Sequence, residues 1–132
     1  MPTITKEILS GSTNGRGIKL TDTAASTNND TGYTIHTAVA GTDDMDEVWL
    51  WAHNSSTAGV KLTIEFGNAV ASGATTASTA PDDQIEVSIP PEEGLMQVIP
   101  GLILQNACLI RAFASAANVI TIHGFVNRID VA

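Results

Sequence analysis

The chain has 132 residues, 43% of them hydrophobic and 15% charged, with six Lys and Arg against fourteen Asp and Glu and a formal net charge of -8. That is the length of one domain, and the charged share falls short of the quarter or so usual in soluble domains. Without an apolar run near the ~18 residues of a membrane helix, a signal-peptide core after Met1 or a Lys/Arg cluster for a phosphate backbone, the expected partners include no membrane and no nucleic acid, and the expected place of synthesis is a cytoplasm.

Sixteen Thr and nine Ser fill the polar surface, and twenty-two Ile and Val outnumber eight Leu. Branched side chains fit a pleated sheet better than a helix, so the expected class is all-β. Residues 1–31 hold two short apolar pieces, Ile4 with Ile8-Leu9 and Ile18-Lys19-Leu20. Between them Asn14-Gly15-Arg16-Gly17 reads as a tight turn. This part is expected to be an extended N-terminal arm with one short strand; from Met1 to about Leu20 it is expected to be mobile in isolation, and deleting residues 1–15 is expected to leave the thermal transition nearly unchanged. Residues 32–132 are expected to form the sandwich proper.

From Tyr33 a two-residue period sets in: Tyr33, Ile35, Thr37 and Val39 alternate with polar or small neighbours. Val48, Leu50 and Ala52 face one way and Trp49, Trp51 and His53 the other, so this strand is apolar on both sides. After the turn at 54–59, Val60, Leu62, Ile64 and Phe66 alternate with Lys61, Thr63 and Glu65. The two runs together predict an antiparallel hairpin. The Gly-, Ala-, Ser- and Thr-rich stretch 67–84 predicts a long loop, read as a crossover between sheets. Ile85, Val87 and Ile89 make a strand stopped by Pro90-Pro91. Further strands are expected at 95–99, 102–104, 108–114 and 119–129, with Pro100-Gly101 as a kink. Eight or nine short strands with uneven links predict an antiparallel β-sandwich, jelly-roll-like, over a closed barrel. Its expected core includes Val60, Leu62, Ile64, Phe66, Ile85, Val87, Ile120 and Ile122.

Chemistry is sparse. No Ser lies in a nucleophile elbow, and Cys108 stands among apolar neighbours, where a thiol is unreactive. His36, His53 and His123 fall on three strands without ligand spacing, and a strand histidine bonded to a neighbour is the expected role. Asp43, Asp44, Asp46 and Glu47 crowd one turn, but the EF-hand glycine and glutamate are missing, so a solvated acidic turn is expected. Glu65, Glu86, Glu92 and Glu93 carry no sign of paired-carboxylate catalysis. No enzyme activity, metal or cofactor is expected. Trp49 and Trp51 point to one face that needs covering, by the sandwich core, by a neighbouring subunit or by a sugar ring.

Residues 85–129 contain Ile89-Pro90-Pro91-Glu92-Glu93-Gly94, Val98-Ile99-Pro100-Gly101-Leu102-Ile103-Leu104-Gln105-Asn106, Ile110-Arg111-Ala112-Phe113-Ala114 and Asn118-Val119-Ile120-Thr121-Ile122-His123-Gly124-Phe125-Val126-Asn127-Arg128-Ile129. This run resembles the small structural proteins of tailed bacteriophages, and the Trp49-Leu50-Trp51 strand does so more weakly. The resemblance implies a virion component, a head decoration or cement protein on the capsid surface. It further implies a homotrimer whose partner is the major capsid protein. On that reading Ile4, Lys6, Ile8, Leu9, Arg16 and Lys19 of the arm contact the capsid, and Trp49 and Trp51 lie near a subunit boundary. The alternative is a lectin-like module using Trp49, Trp51 and His53 as a stacking platform.

Overall fold

The computed structural model describes residues 1–24, 33–68 and 83–131. Nine strands run β1 (Thr3–Ile8), β2 (Ile18–Lys19), β3 (Tyr33–Thr37), β4 (Met45–Asn54), β5 (Val60–Asn68), β6 (Gln84–Ile89), β7 (Met96–Leu104), β8 (Cys108–Ala114) and β9 (Ile120–Asp130), and the described residues include no helix. Sheet A has the order β1-β9-β4-β7, with β2 also on β9, and sheet B the order β3-β8-β5-β6. Every pairing is antiparallel.

Alternation decides which side chains meet between the sheets. In β4, Asp46, Val48, Leu50, Ala52 and Asn54 are buried while the residues between them are half-buried. Val48 and Leu50 with Ile99, Ile120, Ile122 and Val126 of sheet A close on Ile35, Leu62, Ile64, Ile89 and Ile110 of sheet B. Each such aliphatic side chain contributes about 1.5–3 kcal/mol when taken out of water. In β3 a register shift between Thr34 and His36 breaks the alternation, which is why the adjacent Ile35 and His36 are both buried.

The β-sandwich was legible; several connections were not. β4 and β5 are no hairpin, because β4 pairs with β7 and β9 while β5 pairs with β6 and β8. The turn at 54–59 therefore carries the chain from sheet A to sheet B. Asn54 stabilises it: its Nδ2 donates to the Ala58 and Ile89 carbonyls, and its Oδ1 accepts from Ser56. The long link after β5 is no crossover, since β5 and β6 pair with each other in sheet B. Residues 69–82 of that link, like 25–32 of the polar stretch before Tyr33, lie outside the described residues.

The N-terminal segment is likewise no arm held apart from the sandwich. β1 makes a six-residue ladder with β9, and Leu9, Ile18 and Leu20 are buried in the same core as Leu50 and Ile64. Three aliphatic anchors sufficed where the density of turn residues had argued for mobility. The expected boundary at 31/32 falls outside the described residues. Of the expected core, Ile85 stands opposite Ile64 yet is 37% exposed, because β6 is an edge strand. Pro100 and Gly101 do not end β7: one register shift against β4 skips Gly101, and a second falls at Val98.

Candidate functional site

The half-buried residues of β4 look away from sheet B and meet an aromatic neighbour on β9. Trp49 is directly opposite Phe125, and Trp51 opposite His123. The Trp49 and Phe125 rings stack with centroids 6.5 Å apart and planes 14° from parallel; Trp51 and Phe125 stack at 6.0 Å and 26°. Phe125 thus bridges two tryptophans. Lys6 places Nζ 4.6 Å from the Phe125 centroid, where the negative face of the ring attracts a cation.

A glycine makes room for this face. At Gly101, with φ +88°, an added Cβ would come within 3.0 Å of the Trp49 indole. On the opposite, core-facing side of β9, a Cβ at Gly124 would collide with the Trp49 carbonyl oxygen and the Leu50 side chain. Polar side chains frame the rings: Glu47 Oε1 accepts from Trp49 Nε1 at 2.7 Å and from Asn127 Nδ2 at 2.9 Å. Those bonds, Asn127 first, hold the Glu47 carboxyl below its ordinary range. Ile4 and Ile8 of β1, opposite Ile129 and Phe125, extend the face and are 68% and 53% exposed. The surface offers apolar and aromatic area with a fixed carboxylate and a cation on it.

Comparison with protein-family models, with curated proteins and with solved structures finds no match to this chain.

The residues singled out in the sequence divide among three places. Ile4, Lys6, Ile8, Trp49 and Trp51 come together on the outward face of sheet A. The tryptophans are therefore not core residues, although the core was the commonest fate for such side chains. Leu9 is 1% exposed and is withdrawn from any contact surface. Arg16 and Lys19 line a cleft of about 540 Å³ with Thr13, Gly17, Thr121 and His123. The loop above it follows the predicted tight turn, with Asn14 at φ 57° and Gly15 at φ 78°. Gly17 lies against the His123 ring, where a Cβ would approach Cε1 to 2.6 Å.

The acidic turn is split rather than solvated as a unit. Asp46 points inward, fully buried, and accepts from Arg128, His36 and the Val39 N–H. Glu47 points outward, and Asp44 accepts from the Val131 N–H. Among the described residues no group of three His, Cys, Asp or Glu is placed to hold a metal ion. Ser10, His36 and Asp46 have the residue types of a hydrolytic triad but not its geometry. The backbone N–H of Ser10 donates to His36 Nδ1 at 2.9 Å, and Ser10 Oγ accepts from the Thr37 N–H. The ring nitrogen that would take a hydroxyl proton is thus already occupied, and the cluster braces the sandwich. Cys108 is half-buried, and burial pushes its thiol up. Sequence reasoning missed Phe125, the third ring of the outward face. Its signal was the parity that puts it on the same side of β9 as His123 and Asn127.

Proposed function

We propose that this chain is a structural protein of a tailed-bacteriophage virion, a head decoration or cement protein. In this reading it binds the major capsid protein as a homo-oligomer, a trimer, through the outward face of sheet A. The observation that carries the reading is the stack of Trp49, Phe125 and Trp51, continued by exposed Ile4 and Ile8. A contiguous aromatic and aliphatic face of this kind marks a protein contact. Two further features support it. The run 85–129 resembles phage structural proteins. The strand order supports a jelly roll, because the chain changes sheet at each connection except β1 to β2 and β5 to β6, and that architecture recurs in viral capsid proteins.

The test is decoration of undecorated capsids assembled from the capsid protein encoded in the same genome. Purified protein should add ordered density to the capsid surface, and Trp51→Ala with Phe125→Ala should remove it. Bare capsids at saturating wild-type protein would sink the proposal. The same rings favour one second reading, a carbohydrate-binding module in which Trp49, Trp51 and His53 stack on a sugar. Binding to glycans by a protein that ignores capsids would select it.

A further inference from the structure

Sheet A ends in two edges of opposite charge at one level. Lys19 of β2 stands opposite Thr121 of β9, and Thr121 opposite His53 of β4. His53 Nδ1 in turn lies 3.2 Å from the carbonyl oxygen of Gly94, in the turn that leads into β7. One line across three strands therefore joins Lys19 to the 92–94 turn, on the order of 15 Å at the usual spacing of strands.

The β2 side of this line is cationic. Arg16 and Lys19 line the cleft over His123. Neither is paired with a carboxylate among the described residues, whereas Lys61 pairs with Glu86 and Arg128 with Asp46. Their loop is fixed by Arg16 N–H to the Thr13 carbonyl at 3.1 Å, Ser12 Oγ to the Arg16 carbonyl at 2.6 Å and Gly11 N–H to the Ile35 carbonyl at 3.0 Å. The β7 side is acidic. Glu92 and Glu93 are exposed, and no Lys, Arg or His pairs with them among the described residues. Glu92 has φ 56°, a conformation that Gly or Asn adopts with less strain, and strained positions of this kind cluster where a side chain is used. An exposed aliphatic residue flanks each charged group: Ile8, against the Gly15 turn, on one side and Leu95 on the other.

We propose that the two edges are the halves of one interface between copies of this chain. The Arg16 and Lys19 cleft of one molecule takes the Glu92-Glu93 turn of the next. β1 and β7 run in opposite directions within the sheet, so copies set side by side present antiparallel edges to each other. Because the two surfaces differ, the contact is head-to-tail, which gives a ring such as a trimer where the rotation between copies closes and a filament where it does not. Exposed ion pairs contribute little singly, so the charges set register and the apolar flanks and strand edges supply the burial. The inference rests on the oligomeric part of the proposed function and names the surface that would form it.

The test is sedimentation at micromolar concentration in low and high salt, with melting temperature as the control for folding. Wild-type protein should be heavier than the 13.7 kDa chain and should dissociate as salt rises. Arg16→Glu with Lys19→Glu, and separately Glu92→Lys with Glu93→Lys, should each sediment as a monomer. One chain carrying all four changes should reassociate as wild type does, whereas an equimolar mixture of the two variants should pair but not close a trimer, because one contact of a three-membered ring must then join like charges. Neutralising Glu92→Gln with Glu93→Gln should weaken assembly and flatten its salt dependence. Wild-type assembly by both charge-reversed variants overturns the edge contact and leaves the oligomer standing. A monomeric wild type overturns the contact and the oligomer together, while capsid decoration, measured separately, decides the virion reading.

Discussion

Arg128 grips Asp46 with two prongs, Nε to Oδ1 at 2.8 Å and Nη2 to Oδ2 at 2.9 Å. The carboxylate is wholly buried, while the guanidinium side chain is 32% exposed. His36 Nε2 lies 2.8 Å from Oδ2, and the Val39 N–H donates to the same oxygen at 3.1 Å. One acidic side chain thus joins β4 to β9 and both to the β3 end of sheet B.

Burial alone would raise the Asp46 carboxyl; the bonds from Arg128, then those from His36, together with both charges, outweigh it and hold the group below its ordinary 3.8. The unfolded chain therefore takes up this proton first as pH falls past about 3.8, and the stability that Asp46 contributes is lost as pH drops on through its lowered folded value. Asp46→Asn should cost about 2–3 kcal/mol at neutral pH, toward the low side for a broken buried pair because Arg128 stays partly hydrated. Urea titrations should show the variant losing less stability than wild type between neutral pH and the acid range. Parallel curves for the two proteins would mean that Asp46 is not the linked group.

Leu9→Ala should destabilise by about 2–5 kcal/mol, as for other buried leucines, whereas Ile4→Ala should stay within about 0.5 kcal/mol. Chemical denaturation of the two variants separates a core residue from a surface one five positions away. Equal, small effects would restore residues 1–9 to the role of a dispensable arm.

Gly101→Ala forces a Cβ toward the Trp49 indole at a positive φ, and such substitutions cost about 1–3 kcal/mol. The indole should be displaced from Phe125 and become wetter, so tryptophan emission should move to longer wavelength before any unfolding. An unchanged spectrum would show that Trp49 does not depend on the gap left by the glycine.

His36 has a fixed tautomer. Nδ1 accepts the Ser10 N–H, so the ring hydrogen belongs on Nε2, where it donates to Asp46. Long-range nitrogen–proton correlation at neutral pH should show the Nε2–H form. The opposite tautomer would break both bonds and contradict the placement of Ser10.

The alternation of Val60 to Phe66 and of Ile120 to Val126 was readable because side-chain direction in a strand depends on neighbours two residues away. Strand partners were not readable in the same way. β4 and β5 are joined by five residues and alternate cleanly, yet they pair in different sheets, and nothing within either strand records that choice. The burial of Asp46 depended on a cation 82 positions away. Its parity with Val48 and Leu50 was a usable sign that this acid pointed inward and needed a partner. Leu9 and Leu20 carried too little local pattern to stand out among turn residues. On the outward face, the tryptophans were conspicuous, but which layer they belonged to depended on the pairing of β4 with β9.

β9 touches β1, β2 and β4, and of the described strands it is the last to leave the ribosome. Until it does, the aromatic strand β4 has only β7 beside it and the first two strands have no sheet to join. The nascent chain therefore holds adhesive segments open through most of its synthesis. Completion waits on contacts between distant parts of the chain, which are slow to form. Fast production of such a protein favours aggregation, and slowing translation ahead of β9 should worsen its yield, whereas lowering the temperature after release should improve it.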